Sequence, residues 1–266
     1  MLRYHVSLEF EFEVAVMVRI SKQRTNELIV FLHGFGSSME HFIKAFSNKS
    51  LNDVDLIALD LIGFGESSKN KEFSYSMTDQ AILVIKVLKE LNIDTFHLCA
   101  HSMGSLVAQE LVERFPERVL TFMNLEGNLT IEDCFMTGLV FKSSFNEFQR
   151  KGKKELEEQI GLRVPSDPSL LSYLKTFKQA GTLALYRSAE DTIRISKDPQ
   201  LIKRFISLPK KCYFYGENNR GKFPAEKILS EAGVQVYYIE KAGHSMAEEN
   251  PEQLYAYIRD FISINQ

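Results

Sequence analysis

Residues 95–115 read TFHLCAHSMGSLVAQELVERF, and the fold turns on how this stretch is parsed. An apolar run, Phe96 to Ala100, gives way to helical spacing at Leu106, Val107, Leu111 and Phe115, with only His101-Ser102-Met103-Gly104 between them. So short a junction demands a sharp strand-to-helix turn with Ser102 on its corner. Ala100, two residues before, and Gly104, two after, are small, as such a turn requires. A larger side chain at either place would meet the neighbouring backbone. Ser102 is thereby expected to stand exposed at a helix N-terminus, where the dipole favours developing negative charge.

Working outward, strands and helices alternate. Residues 4–20 alternate in hydropathy (Val6, Leu8, Phe10, Phe12, Val14, Val16, Val18) and predict two antiparallel strands, with no Gly or Pro marking the hairpin. Leu28 to Leu32 and Val54 to Leu59 are short continuous apolar runs, as expected of strands buried on both faces. Met39 to Phe46 has helical character, and Ser76 or Thr78 is expected to cap a helix running to about Leu91. Val119 to Leu125 is a further strand. From Gly127 to about Leu208 the alternation stops and the pattern is mainly helical, broken at Pro165 and Pro168, with Pro199 marking a later helix start. It resumes as strand (Lys211 to Tyr215), helix (Ala225 to Ala232) and strand (Val234 to Ile239). A closing helix has Asn250 as N-cap and Pro251 at its first position. The expectation is a doubly wound, mostly parallel α/β sheet built from residues 1–126 and 209–266, with residues 127–208 as a mainly helical insertion.

Length, 44% apolar and 25% charged residues fit an ordinary globular chain of 266 residues. A net charge of −3 leaves no electrostatic footprint for nucleic acid or an anionic membrane, so the expected partner is a small molecule. The most basic stretch, Arg150 to Lys154, runs into Glu155, Glu157 and Glu158 and reads as a solvated helix face. Cys99, Cys134 and Cys212 form no CxxC and suggest buried free thiols in a reducing compartment. With no signal-peptide core and no run long enough to span a bilayer, a cytoplasmic location is expected. No HExxH or Cys/His spacing supports a metal, and the glycine pattern lacks both G-x-G-x-x-G and a G-K-[ST] ending, so neither a metal nor a nucleotide cofactor is expected.

A serine hydroxyl needs a base to become a nucleophile, and the base needs an acid to orient it. His244, in Gly243-His244-Ser245, follows the last strand and so falls at the same carboxyl edge of a parallel sheet as Ser102. Of the other histidines, His5 lies in the edge hairpin, His97 in the elbow strand and His41 on a helix. His101 is expected to turn away from the nucleophile beside it.

Four segments in order, HGFG (33–36), DLIGFGES (60–67), AHSMGS (100–105) and GHSMAEENP (243–251), resemble the α/β-hydrolase superfamily across nearly the whole chain. The elbow matches the superfamily's G-x-S-x-G with Ala100 for the first Gly, and DLIGFGES matches D-x-P-G-x-G-x-S with Ile62 for Pro, a structural turn. The resemblance implies Ser102 as nucleophile, His244 as base, and the Phe35 and Met103 amides as oxyanion donors, with His33, Gly34 and Gly36 supporting the loop, and the insertion at 127–208 resembles the superfamily's helical cap. The acid's usual loop, G-E-x-D, reads Gly216-Glu217-Asn218-Asn219, with Asn219 where Asp would stand. A subset of the superfamily carries the acid one strand earlier, which here is Glu126. The alternative for Glu126 is a carboxylate that caps or salt-bridges the insertion's first helix. Glu217 is the next candidate acid, and Asn219 would be able to orient only. Ser102 argues against haloalkane dehalogenase and epoxide hydrolase chemistry, which use Asp.

The implied activity is a cofactor-free, carboxylesterase-like serine hydrolase. Phe135, Phe141, Phe145 and Phe148 suggest a small, largely apolar acyl group, although Phe at helical spacing is commonly packing core. A lactonase or carbon–carbon bond hydrolase is a further reading, and a thioesterase a weaker one. The rival from another class is a ligand-binding or signalling protein on the same fold, kept open by Asn219. Oligomeric state is left open.

Overall fold

The computed structural model describes residues 1–8, 12–21 and 27–265. The expected hairpin turn, including Phe10, lies outside them. Eight strands form one sheet: β1 (Leu2–Leu8), β2 (Phe12–Arg19), β3 (Leu28–Leu32), β4 (Asp55–Leu59), β5 (Phe96–His101), β6 (Val119–Leu125), β7 (Lys211–Gly216) and β8 (Val236–Ile239). Their order is β1-β2-β4-β3-β5-β6-β7-β8. β1 pairs with β2, and β2 with β4, antiparallel; every other pair is parallel.

Two apolar layers explain why the central strands read as continuous apolar runs. Along β3, Val30 and Leu32 join one layer with Leu98 and Ala100 of β5, while Ile29 and Phe31 join the other with Cys99. The first layer is covered by α1 (Met77–Glu90) and α2 (Gly104–Arg114) through Val84, Leu88, Leu106 and Leu111. The second is covered by a 3₁₀ helix at Met39–Ser47 and by the C-terminal helix through Phe42, Phe46, Leu254 and Ile258. Ser76, not Thr78, caps α1, accepting the Asp79 N–H at 3.1 Å. All three cysteines are buried free thiols.

Between β6 and β7 the described chain is helical: α3 (Phe135–Val140), α4 (Phe145–Glu147), α5 (Lys153–Arg163), α6 (Leu170–Gln179), α7 (Thr182–Ser196) and α8 (Leu201–Ser207). A π-helical turn at Phe148–Gly152 joins α4 to α5. The insertion is pinned to the sheet's carboxyl side: the Gly181 N–H donates to Gly63 O at 2.8 Å, and the Arg187 guanidinium to Phe73 O at 2.7 Å. The last elements are α9 (Pro224–Glu231), α10 (Met246–Glu249) and α11 (Pro251–Ile264), the last capped by Asn250 with Pro251 at its first position, as read from sequence. No helix among the described residues is long and apolar enough to cross a membrane.

Candidate active site

The β5–β6 register sets the site. His101 pairs with Leu125, so the next residue of each strand, Ser102 and Glu126, leaves the sheet side by side. Both turn with positive φ, +51° and +40°, a conformation costly for non-glycine residues and common at functional sites. Ladder bonds hold both turns: Ser102 N–H donates to Leu125 O at 3.1 Å, and Glu126 N–H to Phe214 O at 3.0 Å.

Glycines bring the remaining loops close. A Cβ on Gly104 would lie 2.5 Å from His33 O, and one on Gly34 would lie 2.9 Å from both Ser102 Cβ and His101 Nδ1. The HGFG loop therefore rests directly on the elbow. His33 holds it there: Nδ1 donates to Gly34 O at 2.8 Å and Nε2 accepts the Leu61 N–H at 3.1 Å. Burial pushes the His33 pKa down to about 4, consistent with this neutral bridging form. Asp60 is structural, accepting the Met39 and Glu66 N–H groups, and burial pushes its pKa up to about 6. The Phe35 and Met103 N–H groups donate to no partner among the described residues, and both residues line the cavity in front of Ser102.

His244 is brought to Glu126, with Nδ1 2.9 Å from Oε2. Because a carboxylate only accepts, Nδ1 carries the proton, which leaves Nε2 as the basic nitrogen. The Glu126 side chain is 4% exposed, and it receives three more hydrogen bonds: Gly216 N–H to Oε1 at 2.7 Å, and Asn219 Nδ2 to Oε1 and Oε2 at 3.2 and 3.0 Å. Glu126 therefore neither caps nor salt-bridges the insertion's first helix. The Asn219 amide meets the Glu126 carboxylate, and it is Glu126 that meets the His244 ring. Glu217 is exposed, with its side chain outside the cavity, so it is placed for neither role. Glu249 Oε2 accepts the Gly243 N–H at 2.8 Å, fixing the loop that presents His244.

Ser102 and His244 line one cavity of about 650 Å³, within the range of small-molecule sites. The Ser102 hydroxyl makes no hydrogen bond among the described residues, and such catalytic bonds commonly tighten only when substrate docks. Phe135 stands edge-on to His244, with centroids 5.1 Å apart. Phe141, Phe145 and Phe148 instead pack around Tyr186 and do not line the cavity; only Phe148 is buried, while Phe145 is half-buried and Phe141 exposed. The apolar lining includes Phe35, Met103, Phe135, Met136, Ile160, Leu170, Tyr173 and Phe223. Among the described residues no cluster of His, Cys, Asp or Glu is placed to hold a metal ion.

His101 departs from the sequence expectation. Its ring does not swing away from the site: Nε2 donates to His244 O at 2.8 Å, and the ring packs 4.5 Å from the His244 ring. The sequence carries no signal for this, because the contact depends on a loop 143 residues further along.

The chain is 36% identical over 118 residues to the mouse mesoderm-specific transcript protein, a match covering 43% of this chain and 33% of that one. The chain thus spans about a third of the length of the first curated relatives it matches (33%). A Bacillus subtilis protein named uncharacterized hydrolase YugF is 27% identical over 254 residues, 89% of this chain and 90% of its own. A solved carboxylesterase of the ammonia-oxidizing thaumarchaeon Nitrososphaera gargenis superposes with a TM-score of 0.80 at 15% identity, over 98% of each chain, a likeness of fold. The family model described as alpha/beta hydrolase fold matches residues 27–222. The chain belongs to the α/β-hydrolase fold family.

Proposed function

We propose that the chain is a serine hydrolase acting on a small ester with a largely apolar acyl group, without a cofactor. The observation that carries this reading is the pairing of His244 Nδ1 with Glu126 Oε2 at 2.9 Å, in the cavity that Ser102 enters at φ +51°. Ser102 Oγ attacks the ester carbonyl while His244 Nε2 takes its proton. The oxyanion is received by the Phe35 and Met103 N–H groups, and the proton passes to the departing alkoxide, releasing the alcohol. Water, deprotonated by the same nitrogen, then attacks the acyl-enzyme; the acid leaves and Ser102 Oγ recovers its proton. The helical insertion acts as a cap, supported by the lining that Phe135, Ile160, Leu170 and Tyr173 contribute. The rival reading, a binding protein without turnover, rests on Asn219; that Glu126 reaches His244 while Asn219 donates to Glu126 supports turnover instead.

The test is hydrolysis of p-nitrophenyl butyrate by wild type and Ser102→Ala, with labelling by a fluorophosphonate. Expected are wild-type turnover and a single labelled serine, both absent in Ser102→Ala. Wild type that neither exceeds Ser102→Ala nor takes the label would overturn the reading.

A further inference from the structure

The contacts described so far fix the His244 ring through Glu126 and its loop through Glu249, but neither ties that loop to the elbow. Glu126 sets the ring's rotation through Nδ1. The elbow and the His244 loop leave different strands, so the gap between Ser102 and His244 also depends on how the two backbones are held together. His101 spans them. It is covalently next to Ser102, and its Nε2–H donates to the His244 carbonyl at 2.8 Å.

His101 is held rigidly for this task. It is buried, at 6% exposure, and stacks on the His41 ring with centroids 4.3 Å apart at 19°. Gly34 closes over its Nδ1, where a Cβ would come within 2.9 Å. Nδ1 has no hydrogen-bond partner and is buried. Burial, together with His41 and His244, keeps the ring neutral by holding its pKa well below the ordinary value. In the neutral ring the single proton is the one on Nε2, since only a donor can meet a carbonyl.

We infer that His101 is a positioning residue that sets the distance between nucleophile and base by tying the His244 backbone to the elbow. The inference rests on the serine-hydrolase reading above. His101→Phe keeps the ring's bulk and its stacking on His41 but removes the donor. His101→Gln places an amide N–H near the position of Nε2, and His101→Asn is too short to reach. A displacement of about 1 Å at a reacting centre costs about 10²-fold in rate. His101→Phe and His101→Asn are therefore expected to lower kcat on p-nitrophenyl butyrate about 10- to 100-fold, with KM within about 2-fold, and His101→Gln to recover most of it. Hydrogen–deuterium exchange of a peptide covering residues 240–250 gives a readout that does not need turnover: faster in Phe and Asn, restored in Gln.

The outcomes separate cleanly. Wild type inactive against Ser102→Ala overturns the function, while the exchange pattern still decides the tether. An active wild type with unchanged kcat and unchanged exchange in folded His101→Phe overturns the inference. Should circular dichroism show that His101→Phe is unfolded, the Gln and Asn pair decides alone: equal kcat and equal exchange overturn it, and Gln above Asn supports it.

Discussion

The Asn219 side-chain amide lies 3.2 and 3.0 Å from the two carboxylate oxygens of Glu126. A neutral donor therefore occupies the place where the resembled pattern G-E-x-D puts its acid, and it donates to a carboxylate that stands one strand earlier. With Asn219→Asp, two carboxyl groups would face each other at about the same separation, and a donor is replaced by a repelling group. On the serine-hydrolase reading, Asn219→Ala removes two hydrogen bonds from Glu126 and Asn219→Asp adds repulsion to that loss. Both are expected to lower kcat on p-nitrophenyl butyrate, Asn219→Asp more than Asn219→Ala. Wild-type kcat in both would remove Asn219 from the support of Glu126.

Glu126→Gln keeps the shape of the side chain but presents a neutral group to His244 Nδ1, which no longer selects one tautomer. Loss of the orienting acid in a Ser-His-acid triad costs on the order of 10⁴ in kcat. That fall, in a protein with wild-type circular dichroism, is the expected result in the p-nitrophenyl butyrate assay. A mutant within about 10-fold of wild type would instead point to a dyad, since a loss that small is far below the value for a triad acid.

Ser102 holds φ +51° with a side chain that disfavours it. Non-glycine residues in such positions cost about 1–3 kcal/mol, and glycine removes most of that. Ser102→Gly is expected to abolish turnover and to raise unfolding stability by about 1 kcal/mol, read as a higher urea midpoint at an unchanged m-value. A lower midpoint would mean that the hydroxyl contributes more than the strain removes.

These positions differ in how far the sequence reveals them. Ser102 is legible because only a small-residue corner fits between Ala100 and Leu106, and Glu126 because a carboxylate ends an apolar strand. Both facts are local, and the parallel sheet converts them into proximity through the His101–Leu125 register. The His101 contact is not local: its direction depends on the His244 loop folding back over the elbow. Nor could spacing sort the phenylalanines of the insertion. Phe135 starts a helix of six residues, and which of its faces meets His244 is decided by tertiary packing.

Gly34→Ala tests how closely the oxyanion loop rests on the elbow. The added Cβ would lie 2.9 Å from Ser102 Cβ and 3.3 Å from His101 O, a backbone atom that cannot rotate aside. Overpacking of this kind costs about 1–3 kcal/mol, and here the strain is released by moving the Phe35 amide from the oxyanion. A fall in kcat of about 10²-fold, comparable to losing one oxyanion donor, is expected. Wild-type kcat in Gly34→Ala would show that the loop can retreat without consequence.

Stability should fall in acid before activity is considered at all. Burial pushes His33 down to about 4, His41 to about 3 and His97 to about 4, whereas the unfolded histidines titrate near 6.5. Their contribution is complete above about 6.5 and is lost as pH falls toward the folded values, because the unfolded chain binds protons the folded chain refuses. Asp60 works in the opposite sense. Its pKa is raised to about 6, so its contribution is complete below the unfolded value of 3.8 and is lost as pH rises through 6. Between pH 6 and 4.5 it offsets one histidine; burial raises Asp133, Glu248 and Glu249 in the same sense as Asp60, and lowers His101 in the same sense as the other three imidazoles. Each uncompensated proton gives a slope of about 1.4 kcal/mol per pH unit. Urea midpoints at pH 7, 6 and 5 should therefore decline, with the steeper part below 6.5. His97, whose Nδ1 lies 2.9 Å from Thr121 Oγ1 inside the sheet, supplies the control: His97→Gln should flatten the decline. Midpoints that stay level from pH 7 to 5 would show that these imidazoles take up protons in the folded chain as readily as in the unfolded one.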